Sequence, residues 1–125
     1  YNVRTLINLE PSATKFDKEL FILSRDIFKK SRKLVSKWGG VLYFVYLPSF
    51  EMSTKNNEEK YKKDMLLLAN DLNIPTIDIY QKEIANHSDP LSLFPLRIRG
   101  HYNAKGYKLI AEAIEKRLEA DGVLH

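Results

Sequence analysis

Val41-Leu42-Tyr43-Phe44-Val45-Tyr46-Leu47, preceded by Gly39-Gly40 and followed by Pro48, is the stretch that decides the fold class of this 125-residue chain. Seven β-branched, aliphatic and aromatic residues run without a polar interruption. Such a run reads as a strand covered on both faces, the signature of a parallel sheet and not of an alternating antiparallel one. Upstream, Phe16, Leu20, Leu23, Ile27, Leu34 and Trp38 recur at threes, fours and a seven. That spacing predicts a helix burying this row, opened by the capping pair Thr14 and Asp17 and stopped by Gly39-Gly40. Downstream, a polar stretch over 49–57 leads into a second helix with Tyr61, Met65, Leu68 and Leu72 inward, ended by Asn73. Residues 74–79 then give a second strand with Pro75 near its start, where a missing N–H costs least. One or two helical turns are expected over 81–86. An irregular loop with Pro90 and Pro95 spans 87–100, and a closing helix begins near Ala104. Residues 3–9 are apolar without clean alternation, which leaves strand and connecting segment both open.

Helix, strand, helix, strand, loop and helix in this order imply right-handed parallel crossovers, an α/β fold with helices on both faces of the sheet. In such sheets ligands gather at the carboxyl ends of the strands. The loop after 41–47 and the long loop ending at Gly100 both reach that edge.

Composition narrows the function classes. With 44% hydrophobic and 29% charged residues the chain has the make-up of one globular domain, not of a disordered segment. It has no cysteine, which removes disulfide scaffolds and thiolate metal sites. No apolar run approaches the roughly 20 residues of a membrane-spanning helix. The net charge of +4 arises from dispersed Lys and Arg, among them Lys29, Lys30, Arg32 and Lys33. These read as a solvated helix face, not as a nucleic-acid patch.

The chemistry-bearing run is Arg99-Gly100-His101-Tyr102-Asn103-Ala104-Lys105-Gly106-Tyr107. A Gly-containing loop delivers one imidazole just before the helix whose Leu109, Ile110, Ala113, Ile114 and Leu118 share one face. A histidine held there can accept and return a proton near neutral pH. The segment from His101 to Ile114 resembles the last conserved block of the SGNH (GDSL-type) hydrolases, serine esterases on a three-layer α/β/α, flavodoxin-like fold. The resemblance implies that His101 is the catalytic base and that the substrate is a small acyl ester, with no cofactor and no metal. In that family an aspartate precedes the histidine by two or three residues; here Ile98, Arg99 and Gly100 stand there. No Gly-Asp-Ser and no Gly-x-Asn-Asp occurs in the chain. The resemblance therefore implies that residues 1–125 correspond to the C-terminal portion of such a domain.

Asp89, in Ser88-Asp89-Pro90, is the nearest upstream carboxylate and the candidate for orienting His101. Arg99 is a candidate for an anionic substrate group. Asn103 and Gly106 read first as shaping the start of the helix, with Asn103 also a candidate substrate contact. Ser49 follows a strand but lacks the Gly-flanked sharp turn of a nucleophile, since Pro48 and Phe50 flank it. Asp78, His87 and Asp89 have no diagnostic metal-ligand spacing. Two function classes follow: ester hydrolysis or acyl transfer, and a non-catalytic binding or assembly module. So few strands leave an open sheet edge and bare apolar helix faces, so a homo-oligomer or association with the rest of a parent domain is expected.

Overall fold

The computed structural model describes residues 15–55 and 61–124. The capping partner Thr14 and the segment 3–9 lie outside them. In chain order the elements are helix α1 (Lys15–Ser36), strand β1 (Phe44–Tyr46), a short helix α2 (Phe50–Lys55), helix α3 (Lys62–Asp71), strand β2 (Thr76–Asp78), a π turn (Tyr80–Ile84), two 3-10 turns (Pro90–Leu93 and Pro95–Arg97) and helix α4 (Ala104–Ala120). β1 and β2 pair in parallel, as the uninterrupted apolar run requires. The first rung is the Phe44 N–H donated to the Pro75 carbonyl at 2.9 Å.

Both strands are shorter than the runs that encode them, three residues each against the expected 41–47 and 74–79. Among the described residues the sheet consists of these two strands, so each has one described partner. A ladder with one partner fixes only the residues opposite that partner. Val41 and Leu47, at the ends of the apolar run, are accordingly exposed instead of covered. Ile74, Ile77 and Ile79 are nonetheless buried, so the apolar content of the second segment is used even where the ladder stops.

The described chain divides into two compact units, 15–44 with 61–76 and 45–55 with 77–124. In the first, α1 and α3 enclose Phe21, Leu68, Ala69, Leu72 and Ile74, with Phe28, Leu42, Phe44 and Met65 packed on them. Removing each large side chain of this set from water stabilises by roughly 1.5–3 kcal/mol. Phe28 and Phe44 meet at 5.2 Å between ring centroids.

The helix α1 was expected to bury the row containing Leu23, Ile27, Leu34 and Trp38, and it does not. These four are more than half exposed, while the inward row is Asp17, Phe21, Ser24, Phe28, Ser31 and Val35. The inward row carries polar residues whose groups find partners. Ser24 Oγ donates to the Leu20 carbonyl at 2.8 Å, and buried Asp17 accepts the Tyr61 hydroxyl at 2.7 Å. Asp17 thus belongs to the core contact of α1 with Tyr61, which is itself 36% exposed.

Helix ends follow the sequence closely. Gly39 has φ +78°, its N–H bonds the Ser36 carbonyl, and the Gly40 N–H bonds the Val35 carbonyl. This pair of bonds around a left-handed residue is the Schellman stop. Asn73 repeats it after α3, with φ +51° and the Ile74 N–H on the Ala69 carbonyl.

In the second unit, Ile84, Leu93 and Phe94 form the core with Phe50, Tyr80, Tyr102 and Leu109 against it. The segment read as an irregular loop over 87–100 contains the two 3-10 turns, each opened by its proline. The helical turn expected over 81–86 is the π turn, closed by the Ala85 N–H on the Tyr80 carbonyl. α4 begins at Ala104 as its sequence predicts and buries Ile110 and Ala113, with Leu109, Ile114 and Leu118 half-buried.

An alanine Cβ at Gly39 meets no atom within 4 Å, so only the left-handed backbone opposes Gly39→Ala. That substitution is expected to destabilise by about 1 kcal/mol, whereas Gly100→Ala, with open space and no left-handed φ, stays near neutral. Urea denaturation of both variants checks this; equal midpoints would show that Gly39 is not left-handed in solution.

Candidate functional site

The candidate site is built from the two segments that leave the strands in the second unit. The chain leaves β1 through Leu47 and the fully buried Pro48, then turns at Ser49 into α2, whose first bond runs from the Ser53 N–H to the Ser49 carbonyl at 3.1 Å. Ser53 Oγ, also buried, donates to the same carbonyl. Ser49 therefore opens a helix without any glycine-flanked elbow.

The opposing segment is tied down residue by residue. Tyr102 donates its hydroxyl to the Pro48 carbonyl at 2.6 Å and stacks on Phe94 with centroids 4.8 Å apart. Phe50 meets Phe94 edge-on at 5.1 Å, and Tyr107 meets Tyr102 at 6.0 Å. Such aromatic pairs contribute about 0.5–1.5 kcal/mol each beyond their burial. Asn103 is the N-cap of α4, its Oδ1 accepting the Gly106 N–H at 3.0 Å. Its Nδ2 donates to the Ser92 carbonyl at 2.9 Å, and its backbone N–H donates to the Leu93 carbonyl at 2.8 Å. Both polar atoms of the Asn103 side chain are thus engaged in positioning the start of α4. Gly106 is buried because a Cβ there would stand 2.8 Å from the Leu93 carbonyl oxygen and 2.7 Å from the Tyr102 ring. The resembling block is thus a docking element: its Asn and Gly seat the helix start on the 90–93 turn.

His101 sits between exposed Gly100 and the anchored Tyr102, and is itself exposed. Its side chain makes no hydrogen bond or ion pair with the described residues. The loop therefore presents an imidazole to solvent at a junction whose next two residues are fixed.

Asp89 is not joined to His101. Its carboxylate is held by Arg97 in a two-pronged pair, Oδ2 to Nη1 at 2.8 Å and Oδ1 to Nη2 at 2.9 Å. The Arg97 hydrogen bond holds the Asp89 carboxyl below its ordinary value of 3.8, against a smaller opposing push from desolvation, and Arg97 is raised in turn. The pair closes a loop in which Leu96 and Arg97 have φ of +52° and +59°, a backbone region that side chains rarely adopt. The Asp89 N–H donates to His87 Nδ1 at 3.0 Å, which occupies that ring nitrogen. Arg99 pairs with Glu51 at 2.7 Å across open surface, both groups being largely exposed. Asp89 and Glu51 are therefore each matched to an arginine.

Asp78, weighed as a metal ligand, accepts the Gln81 N–H at 3.2 Å. No group of three or more metal-ligating side chains occurs among the described residues. No helix among the described residues is long and apolar enough to cross a membrane.

Three residues of this site were not legible as functional: Tyr102, Phe94 and Arg97. Tyr102 lay inside the quoted block with nothing local to show that its hydroxyl reaches Pro48. Arg97 returns to Asp89 across eight residues with no periodicity to announce it. Comparison of the chain with protein-family models, curated proteins and solved structures finds no match.

Replacing Asn103 by alanine removes the cap and orphans the Gly106 N–H. Asn103→Ala is expected to lower stability by about 0.5–2 kcal/mol, read by chemical denaturation, with Asn103→Asp recovering most of the loss. An unchanged midpoint would show that the cap is not formed. For Asp89, the sign follows from its depressed folded-state pKa: the pair stabilises above the ordinary carboxylate value, and that contribution is lost as pH falls through the lower folded value. In Arg97→Ala the Asp89 carboxyl, followed by carbon-detected NMR, is expected to titrate at a higher pH than in the parent; an unchanged midpoint would show the pair to be open in solution.

Proposed function

We propose that this chain is the C-terminal part of an SGNH-type ester hydrolase domain, a three-layer α/β/α fold, with His101 as its general base. The observation that carries the reading is the exposed imidazole of His101 on a junction pinned by Tyr102 to the loop after β1 and by Asn103 to the start of α4. A base so placed takes the proton of a serine hydroxyl as its oxygen attacks the acyl carbon of a small ester. It returns that proton to the departing alcohol, and water repeats the cycle on the acyl-enzyme. The Gly-Asp-Ser block that supplies the serine in this family is absent from the 125 residues. The reading therefore assigns nucleophile and oxyanion donors to upstream sequence. The exposed row Leu23, Ile27 and Leu34 supports a missing covering element, either the remainder of the domain or a second copy of the chain.

A second reading has its own observation. Asp89 and Glu51 are matched to Arg97 and Arg99, which leaves His101 with no orienting acid in these loops. A non-catalytic binding or assembly module retaining the half-site accounts for that arrangement.

Hydrolysis of p-nitrophenyl acetate separates the two. A parent protein carrying the serine block is expected to turn over the ester and to lose roughly a hundred- to ten-thousandfold in His101→Ala, with a smaller loss in Asp89→Ala. Residues 1–125 alone are expected to show no turnover above free imidazole. A parent without activity, or one indifferent to His101, selects the non-catalytic module. Robust turnover by residues 1–125 that is lost in His101→Ala overturns the half-site reading and makes Ser49 the nucleophile to examine.

A further inference from the structure

The first unit contains a concavity of about 460 Å³ formed by Lys29, Lys30, Arg32, Lys33 and Ser36 of α1 together with Leu72. That volume lies in the range of small-molecule sites. Four of these six described residues are cationic, and no carboxylate among the described residues lines it. None of the four cations forms an ion pair with a described carboxylate.

Two features separate this cluster from an ordinary solvated helix face. The first is its internal cost. Lys29 and Lys33 are four residues apart, and Lys29 with Arg32 and Lys30 with Lys33 are three apart, so the like charges face one another on adjacent turns. Each such pair disfavours the helix unless an anion lies between the charges. The attraction of cations to the carboxyl end of a helix does not account for the cluster, since that effect fades beyond the last turn and Lys29 and Lys30 lie before it. The second is pre-organisation. Arg32 Nη1 donates to the Leu72 carbonyl at 2.7 Å, which fixes the guanidinium at the wall of the concavity. Four of its five N–H donors remain, in the planar fork that suits two phosphate oxygens at once. The lysines add compact charges that reach further along a ligand.

We propose that this concavity binds a small soluble anion carrying two or more linked phosphate groups. Arg32 grips one phosphate, and Lys29, Lys30 and Lys33 neutralise the remaining charge. Leu72 and the lysine stems give the ligand's remaining atoms an apolar floor. The size of the site and the lack of a lining aromatic among the described residues, on which a base would stack, argue against single-stranded nucleic acid. This site is formed within the first unit alone and does not depend on the ester hydrolase reading.

Sodium pyrophosphate titrated into nitrogen-15-labelled protein at constant ionic strength is the test. Saturable shifts are expected at the amides of 29–36 and at Leu72. The double variant Lys29→Gln, Lys33→Gln is expected to weaken binding at least about tenfold, and Lys105→Gln, Lys108→Gln in the second unit to leave it unchanged. Arg32→Lys is expected to weaken binding while keeping the charge, because the fork is lost. All substituted side chains are exposed, and unchanged circular dichroism confirms that each variant is folded. Shifts that do not saturate, or an equal loss in both lysine pairs, overturn the proposal and leave a solvated face. Sedimentation with phosphatidylglycerol vesicles, or binding of a single-stranded oligonucleotide, without saturable pyrophosphate binding would overturn it in favour of those surfaces.

Discussion

The arrangement of the second unit hangs on Asn103. Four hydrogen bonds pass through this one residue: Oδ1 to the Gly106 N–H, Nδ2 to the Ser92 carbonyl, the backbone N–H to the Leu93 carbonyl, and the backbone carbonyl to the Tyr107 N–H. A helix start leaves unsatisfied N–H groups, and a 3-10 turn leaves unsatisfied carbonyls. Asn103 joins these two deficits with a single side chain that both donates and accepts. No other residue type of similar size carries both functions on one planar group. The direction of α4, the stacking of Tyr102 on Phe94 and the exposure of His101 all follow from that junction.

Around it, close approach substitutes for bulk. Gly106 lets the first turn of α4 touch the Leu93 carbonyl and the Tyr102 ring, where any Cβ would collide with main chain. The Tyr102 hydroxyl then satisfies the Pro48 carbonyl in a place where proline leaves the chain one donor short. Packing and hydrogen bonding thus hold the same few residues, and the imidazole between them is positioned without a partner of its own.

Charge is distributed by the same logic of local matching. Asp89 and Arg97 fasten the two ends of a loop that contains two left-handed non-glycine residues, and Arg99 meets Glu51. Lys29, Lys30, Arg32 and Lys33 are the contrast, a concave group of cations without described carboxylate partners. One arrangement consumes its charge in holding the fold; the other leaves it available.

The sequence by itself determined where α1 and α3 stop, where α4 starts and that the two strands pair in parallel. The apolar run around Phe44 to Tyr46 gave a parallel strand, Gly39 and Asn73 stopped helices as left-handed residues do, and Asn103 with Ala104 marked the start of α4. These are local matters, decided by backbone sterics, periodicity and capping. Which face of α1 turns inward was not local. Its apolar arc spans two adjacent rows, and only the position of α3 selects Phe21 and Phe28 over Leu23 and Ile27, with Asp17 made tolerable in the core by the distant Tyr61 hydroxyl. Strand length was not legible in the run either: of its seven residues, Phe44–Tyr46 form the strand that pairs with β2. The partner of Asp89 was likewise fixed by tertiary structure, because an ion pair closing eight residues depends on the path of the loop between them. Sequence periodicity records which residues are able to leave water; the neighbours that other segments bring decide which of them do.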